Sequence, residues 1–148
     1  MRLLLGGRRA ALALALVCVS CGKFQQAREC GTFVKTVNAW LASQDATVSA
    51  DAGASSNAKE IAVEARRTAQ HYADLSQRLA GLHVQTEDLA PRVKRYEDIA
   101  NNAARTLIEV ADALEHGDLE KARQKRVDFD TVAQLEGPLV KEINGLCR

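Results

Sequence analysis

From position 25 onward, apolar residues recur along most of the chain at alternating steps of three and four, the spacing that gathers them on one face of an α-helix. Four such stripes are present. The first, from about Gln25 to Ser43, carries Ala27, Cys30, Val34, Val37 and Leu41. The second begins after Asn57, whose side chain suits a helix N-cap, and aligns Ala58, Ile61, Ala65, Thr68, Tyr72, Leu75, Leu79 and Leu82, with Gly81 near its end. Thr86 offers a cap for the third, with Glu87 and Asp88 in a first turn where the helix dipole favours negative charge. That stripe runs through Leu89, Val93, Tyr96, Ala100, Ala103, Leu107, Val110 and Leu114, and Pro91 lies deep enough behind Thr86 to predict an irregular first turn. Gly117 stops this helix and Asp118 starts the next, which bears Leu119, Ala122, Phe129, Val132, Ala133, Val140, Ile143 and Cys147, with a kink predicted at Gly137-Pro138.

Four amphipathic helices with short second and third connections bury their stripes most simply as an all-α, up-down-up-down four-helix bundle with its termini at one end. The first connection differs from the others. Residues 44–56 are a low-complexity run of Ser, Ala, Asp and Gly that has little apolar surface to bury, and they read as a long flexible loop. Composition agrees with the helical reading, because alanine is abundant and aromatic residues make up only 4% of the chain.

The first twenty residues follow another pattern. Met1 to Arg9 is a positively charged leader and Ala10 to Val19 is an unbroken apolar run. Ten residues of helix rise about 15 Å, roughly half the hydrocarbon thickness of a bilayer, so the run has the length and flanks of an export signal and is too short for a permanent span. The residues that follow, Cys18-Val19-Ser20-Cys21, resemble the lipobox of bacterial lipoproteins, with Ser20 well suited to the cleavage position and Cys18 standing where leucine is usual. The competing register, Ala15-Leu16-Val17-Cys18, puts bulky Val17 at the cleavage position. The resemblance implies removal of residues 1–20, lipidation of Cys21 and a short spacer over 21–24 before a single helical domain at 25–148. Together with Glu29-Cys30 and the terminal Ile143-Asn144-Gly145-Leu146-Cys147, the plan is similar to that of small helical envelope lipoproteins of Gram-negative bacteria. The sorting habits of that class, with Gly22 after the lipidated cysteine, imply the outer membrane. Cys18 and Cys21 also form a C-x-x-C, but it abuts the export signal instead of opening a folded helix, and Gly22 stands where haem attachment requires histidine.

With Cys18 removed and Cys21 lipidated, Cys30 and Cys147 remain, and two thiols in an oxidising compartment are expected to pair. In the expected bundle the start of the first helix and the end of the fourth are neighbours, so topology and cysteine arithmetic agree.

Charge removes one class of partner. The full chain has a formal net charge of +1, but without Arg2, Arg8 and Arg9 it holds 17 basic against 19 acidic side chains. That balance argues against nucleic-acid binding. No Glu-x-x-His pair precedes His71, His83 or His116, whose positions three residues earlier are Thr68, Ala80 and Ala113, so no metal site or other cofactor is expected. Nucleophile-elbow, phosphate-loop and H-E-x-x-H motifs are missing too, and no catalytic residue is assigned. Lys121, Arg123, Lys125 and Arg126 crowd the early turns of the fourth helix, where the dipole disfavours positive charge. They read either as a docking surface for an acidic partner or as one side of a hairpin in which Glu109 and Asp112 neutralise Lys125 and Lys121, with Arg126 turned partly inward. Tyr72 and Tyr96 read either as core or, beside the small residues Ala100 and Ala103, as the lining of a ligand cavity.

The leading expectation is a membrane-anchored, non-enzymatic envelope lipoprotein that binds or scaffolds an envelope protein or cell-wall component. A small-ligand carrier or sensor using Tyr72 and Tyr96, a soluble secreted form and an enzyme assembled only in the fold are the alternatives.

Overall fold

The computed structural model describes the backbone of residues 11–48 and 57–148 and the side chains of residues 22–43 and 57–148. Its elements are α1 (Ala11–Val48), α2 (Ala58–Ala80), α3 (Ala90–Glu115), α4 (Leu119–Gln134) and α5 (Glu136–Leu146). Helices pack together with no strand among the described residues. The helix expected from Gln25 begins at Ala11, and the predicted spacer at 21–24 is one stretch of helix with the residues on either side. Positions 44–48 of the predicted loop also continue α1, and residues 49–56 lie outside the described residues, as do residues 1–10.

Local chemistry explains most helix boundaries. The Asn57 side chain accepts from the Lys59 amide at 3.0 Å, and the Asp118 side chain accepts from the Lys121 amide at 3.0 Å, each satisfying a donor that has no partner inside its helix. Gly117 takes φ +73°, a left-handed conformation in which the Asp118 amide reaches the Ala113 carbonyl at 2.8 Å. That closing bond satisfies an orphan carbonyl, and glycine reaches the required backbone without steric cost. Thr86 is not the side-chain cap of α3. Its carbonyl accepts from the Leu89 and Ala90 amides in a preceding turn, and the helix starts at Ala90 with Pro91 in its first turn, where a missing N–H costs nothing. The predicted kink at Gly137-Pro138 is a one-residue interruption at Leu135, which keeps right-handed helical angles. Pro138 has no N–H for the Gln134 carbonyl and its ring would press on that group, so α4 ends at Gln134.

α3 is the central element, and its predicted stripe is buried almost throughout because α2, α4 and α5 all pack on it. Two stripes are rotated from expectation. In α1 the buried face is Cys30, Phe33 and Trp40, with Val37 partly covered, while Val34 and Leu41 are exposed. Both sets have helical spacing, but burying Phe33 and Trp40 removes far more apolar surface from water. In α2, Ala62, Ala65 and Ala69 face inward and Ile61 faces out, an exchange that lets α2 approach α3 closely through the small residues Ala103, Ala104 and Ala111. Leu119 is likewise exposed where it was expected in the core, and Leu139 is fully buried.

Two clusters result. The larger contains Phe33, Trp40, Leu75, Leu79, Leu89, Tyr96, Leu139 and Ile143. The smaller, towards the Gly117 turn, contains only Ala62, Ala65, Val110 and Ala111, with Leu114 against them.

Candidate functional site

One end of the molecule is fastened from two adjacent residues of α1. Cys30 is joined to Cys147 by a disulfide, with the two Cα atoms 5.5 Å apart. Glu29 points one way around the helix and accepts from the Gln85 amide at 3.1 Å and the Thr86 amide at 3.0 Å, holding the α2–α3 turn, while Gln25 donates to the same carboxylate at 2.9 Å. Partial burial works to raise the Glu29 pKa, but hydrogen bonds from Thr86, Gln25 and Gln85 outweigh it and take the group down to about 2. Gln26 completes the arrangement by donating to the Leu146 carbonyl at 3.0 Å. The pairing of Cys30 with Cys147 therefore sits inside a wider network whose other members had no pattern in the sequence.

Tyr72 and Tyr96 are set among aromatic neighbours. Tyr96 is 1% exposed, lies 5.9 Å from Phe33 between ring centres, and donates its hydroxyl to Glu136. Burial, reinforced by that carboxylate, holds the phenol neutral well above its ordinary range. Tyr72 lies 5.5 Å from Trp40 and 6.0 Å from Phe129, and the Trp40 indole donates to the His71 carbonyl at 2.8 Å. Ala100 and Ala103, expected to leave room for a ligand, are buried in the contact between helices. Tyr96 edges an open groove of about 480 Å³ between α1 and the α4–α5 break.

The basic cluster divides. Lys125 pairs with Glu109 at 2.7 Å, as the hairpin reading expected, and its pKa is raised by that hydrogen bond. Asp112 does not meet Lys121. It pairs with Arg66 of α2 at 2.7 Å, and Glu115 binds the same guanidinium through both oxygens at 3.0 and 2.7 Å. Arg66 could not be anticipated as a competitor because only the close α2–α3 approach brings it near. Lys121 has no ion-pair partner among the described residues, and Arg123 pairs with Glu120 on an open surface. Arg126 is exposed, contrary to the inward turn expected from its heptad position; it pairs with Asp130 at 3.2 Å and lies 5.8 Å from the Phe129 ring centre.

Arg126 and Phe129 form one wall of a groove that the sequence did not reveal. It lies between α2 and α4 over α3, with a volume of about 900 Å³, an apolar floor of Ala65, Leu107 and Val110, and Ile61 on the opposite wall. Charges of both signs ring it: Lys59 and Arg67 against Glu60 and Glu64. The groove follows from the rotation of α2. Turning alanines towards α3 leaves Ile61 and Val63, 44% and 55% exposed, on the outside. The run Ala62, Ala65, Ala69 was the signal in the sequence that a small-residue face competes with the larger apolar one.

This groove has the chemistry of a binding surface: apolar area for affinity and mixed charge at the rim for orientation. Among the described residues no cluster of three or more His, Cys, Asp or Glu side chains is arranged to hold a metal ion, and no helix is long and apolar enough to cross a membrane. The side chain of Cys21, expected to be lipidated, lies outside the described residues. No protein-family model, curated protein or solved structure matches the chain.

Proposed function

We propose that the protein is an envelope lipoprotein, exported by residues 1–20, tethered to the outer membrane by lipid on Cys21, and acting without catalysis as a helical binding module for another envelope component. The observation that carries the reading is the Cys30–Cys147 disulfide, since such bonds persist in oxidising compartments outside the cytosol. A charged leader and short apolar run ahead of Ser20-Cys21 supply the matching address. The helices form an up-down-up-down bundle with its two ends together. Supporting this are contacts in which position 29 meets 86 while 40 meets 71, and cross-pairs of Arg66 with Glu115 and Lys125 with Glu109. The α2–α4 groove then lies towards the end away from the tether and receives an amphipathic segment of the partner, its apolar face on Leu107 and Val110 and its charges on the rim.

Two measurements test this. Intact mass of the protein isolated from the expressing bacterium should begin at Cys21 and include the mass of three acyl chains; a chain beginning at Met1 with a free thiol at 21 overturns the anchor. A photoreactive side chain at Ile61 should capture one defined envelope partner in living cells, whereas the same group at Arg105, on an exposed part of α3, should not. Equal capture from both positions removes the groove from the proposal.

A further inference from the structure

Phe24 is 75% exposed, the greatest exposure of any large apolar side chain among the described residues, and no packing within the fold accounts for it. It stands on the rim of a shallow concavity of about 890 Å³ whose other side is the α2–α3 turn, where Leu82 and Val84 are partly exposed beside His83. The helical register of α1 adds a second observation. Positions 21, 24, 25, 28 and 32 succeed one another at steps that keep them on one face, and Phe24, Gln25, Arg28 and Thr32 all border the concavity. Cys21 is one turn before Phe24 on that same face.

From this juxtaposition we infer that the concave face of α1 and the α2–α3 turn is a membrane seat, occupied by the headgroup layer of an anionic phospholipid bilayer. Phe24 enters the boundary between headgroups and acyl chains, as apolar residues of interfacial helices do, and the exposed edges of Leu82 and Val84, which otherwise pack on the core, face the same layer. Arg28 stands among them, exposed and without an ion-pair partner among the described residues. Its stem lies along the apolar surface and its charge meets lipid phosphate. Glu29 also lines the concavity, but its carboxylate is taken up by the Gln85 and Thr86 amides and by Gln25. Glu87 and Asp88, further along the turn, do not line the concavity. The surface is also prebuilt: the Glu29 bonds and the disulfide one residue away fix both of its sides before any lipid arrives. A bilayer is the occupant, and not a protein, because the face is continuous with the residue that carries the tether. In that respect the inference rests on the proposed lipidation of Cys21.

The test uses the full processed protein from bacterial membranes, reconstituted in phosphatidylcholine vesicles with or without phosphatidylglycerol and containing lipid spin-labelled near the headgroup. Native Trp40 is 2% exposed and gives the unquenched baseline. In Phe24→Trp the added emission should move to shorter wavelength and be quenched severalfold more than in Gln124→Trp, at an exposed position on α4. Adding Arg28→Gln to Phe24→Trp should reduce the phosphatidylglycerol-dependent part of the quenching to the phosphatidylcholine level. If intact mass shows lipid on Cys21 and the Phe24→Trp protein is quenched no more than the Gln124→Trp protein, the seat is overturned and the anchor stands. If the mass shows no lipid but added vesicles still quench the Phe24→Trp protein, the seat stands and the anchor falls. Neither lipid nor quenching overturns both.

Discussion

The half of the molecule around Cys30 and Cys147 and the half around the Gly117 turn are built from different materials. The first packs Phe33, Trp40, Tyr72 and Tyr96 with large aliphatic residues, and adds a covalent bond and a clamped turn. The second relies on alanine contacts, helix caps and ion pairs on its surface, and it carries the open α2–α4 groove. Large side chains hold helices apart and fill the space between them, so the interior of the first half is packed. Small ones draw α2 and α3 together and leave the third neighbour, α4, at a distance that opens a slot. The strongest packing and the α2–α4 groove are thereby separated along the length of one bundle.

The separation can be broken most strongly at the disulfide. Replacing both Cys30 and Cys147 with alanine should cost about 4 to 5 kcal/mol by the chain-entropy argument for a closed loop spanning 117 positions, read as a lower denaturant midpoint in chemical unfolding. Trp40→Ala, which empties a buried site and removes the indole donor to the His71 carbonyl, should cost about 3 to 5 kcal/mol. As its control in the other half, Ile61→Ser at an exposed position should leave unfolding within about 0.5 kcal/mol of the parent. An Ile61 variant as damaging as Trp40→Ala would erase the distinction between the halves.

Glu29 gives the next effect, and it depends on pH. Its carboxyl is depressed in the folded state to about 2, so its contribution is complete above the ordinary carboxylate range and is lost as pH falls through the folded value. The parent should therefore lose more stability between roughly pH 5 and pH 2 than Glu29→Gln does. At neutral pH the variant should be weaker by about 1 to 2 kcal/mol, the scale of hydrogen bonds to a charged acceptor discounted for partial exposure. Parallel pH profiles for the two proteins would show that Glu29 does not hold the turn as a carboxylate. Apart from the Ile61 control, the smallest loss belongs to Gly117→Ala, which should cost about 1 kcal/mol through its left-handed backbone and lower the thermal midpoint without altering the first half.

How much of this was visible beforehand depended on how many alternatives each segment offered. α3 was legible because helices surround it and almost any apolar stripe would be covered. Asn57, Gly117 and Asp118 were legible because each does its work within three or four residues of itself. α1 misled because Val34 and Leu41 keep helical spacing as faithfully as Phe33 and Trp40, and only the neighbours decide between the two faces. The break at Leu135 was shifted because proline acts on the carbonyl four residues before it. Of the sites, the cysteine pair could be reasoned from parity and topology. The Glu29 clamp and the α2–α4 groove could not, since both join segments dozens of residues apart through contacts that leave no local pattern.

The position of the sulfur bridge has a mechanical consequence. Tension applied between the leading helix and the carboxyl end would pass across Cys30 and Cys147 directly, so the helices enclosed between them would carry none of that load. Pulling on the chain ends should peel only the few residues outside the ring, and the rest of the body should ride on the covalent shortcut with its shape unchanged.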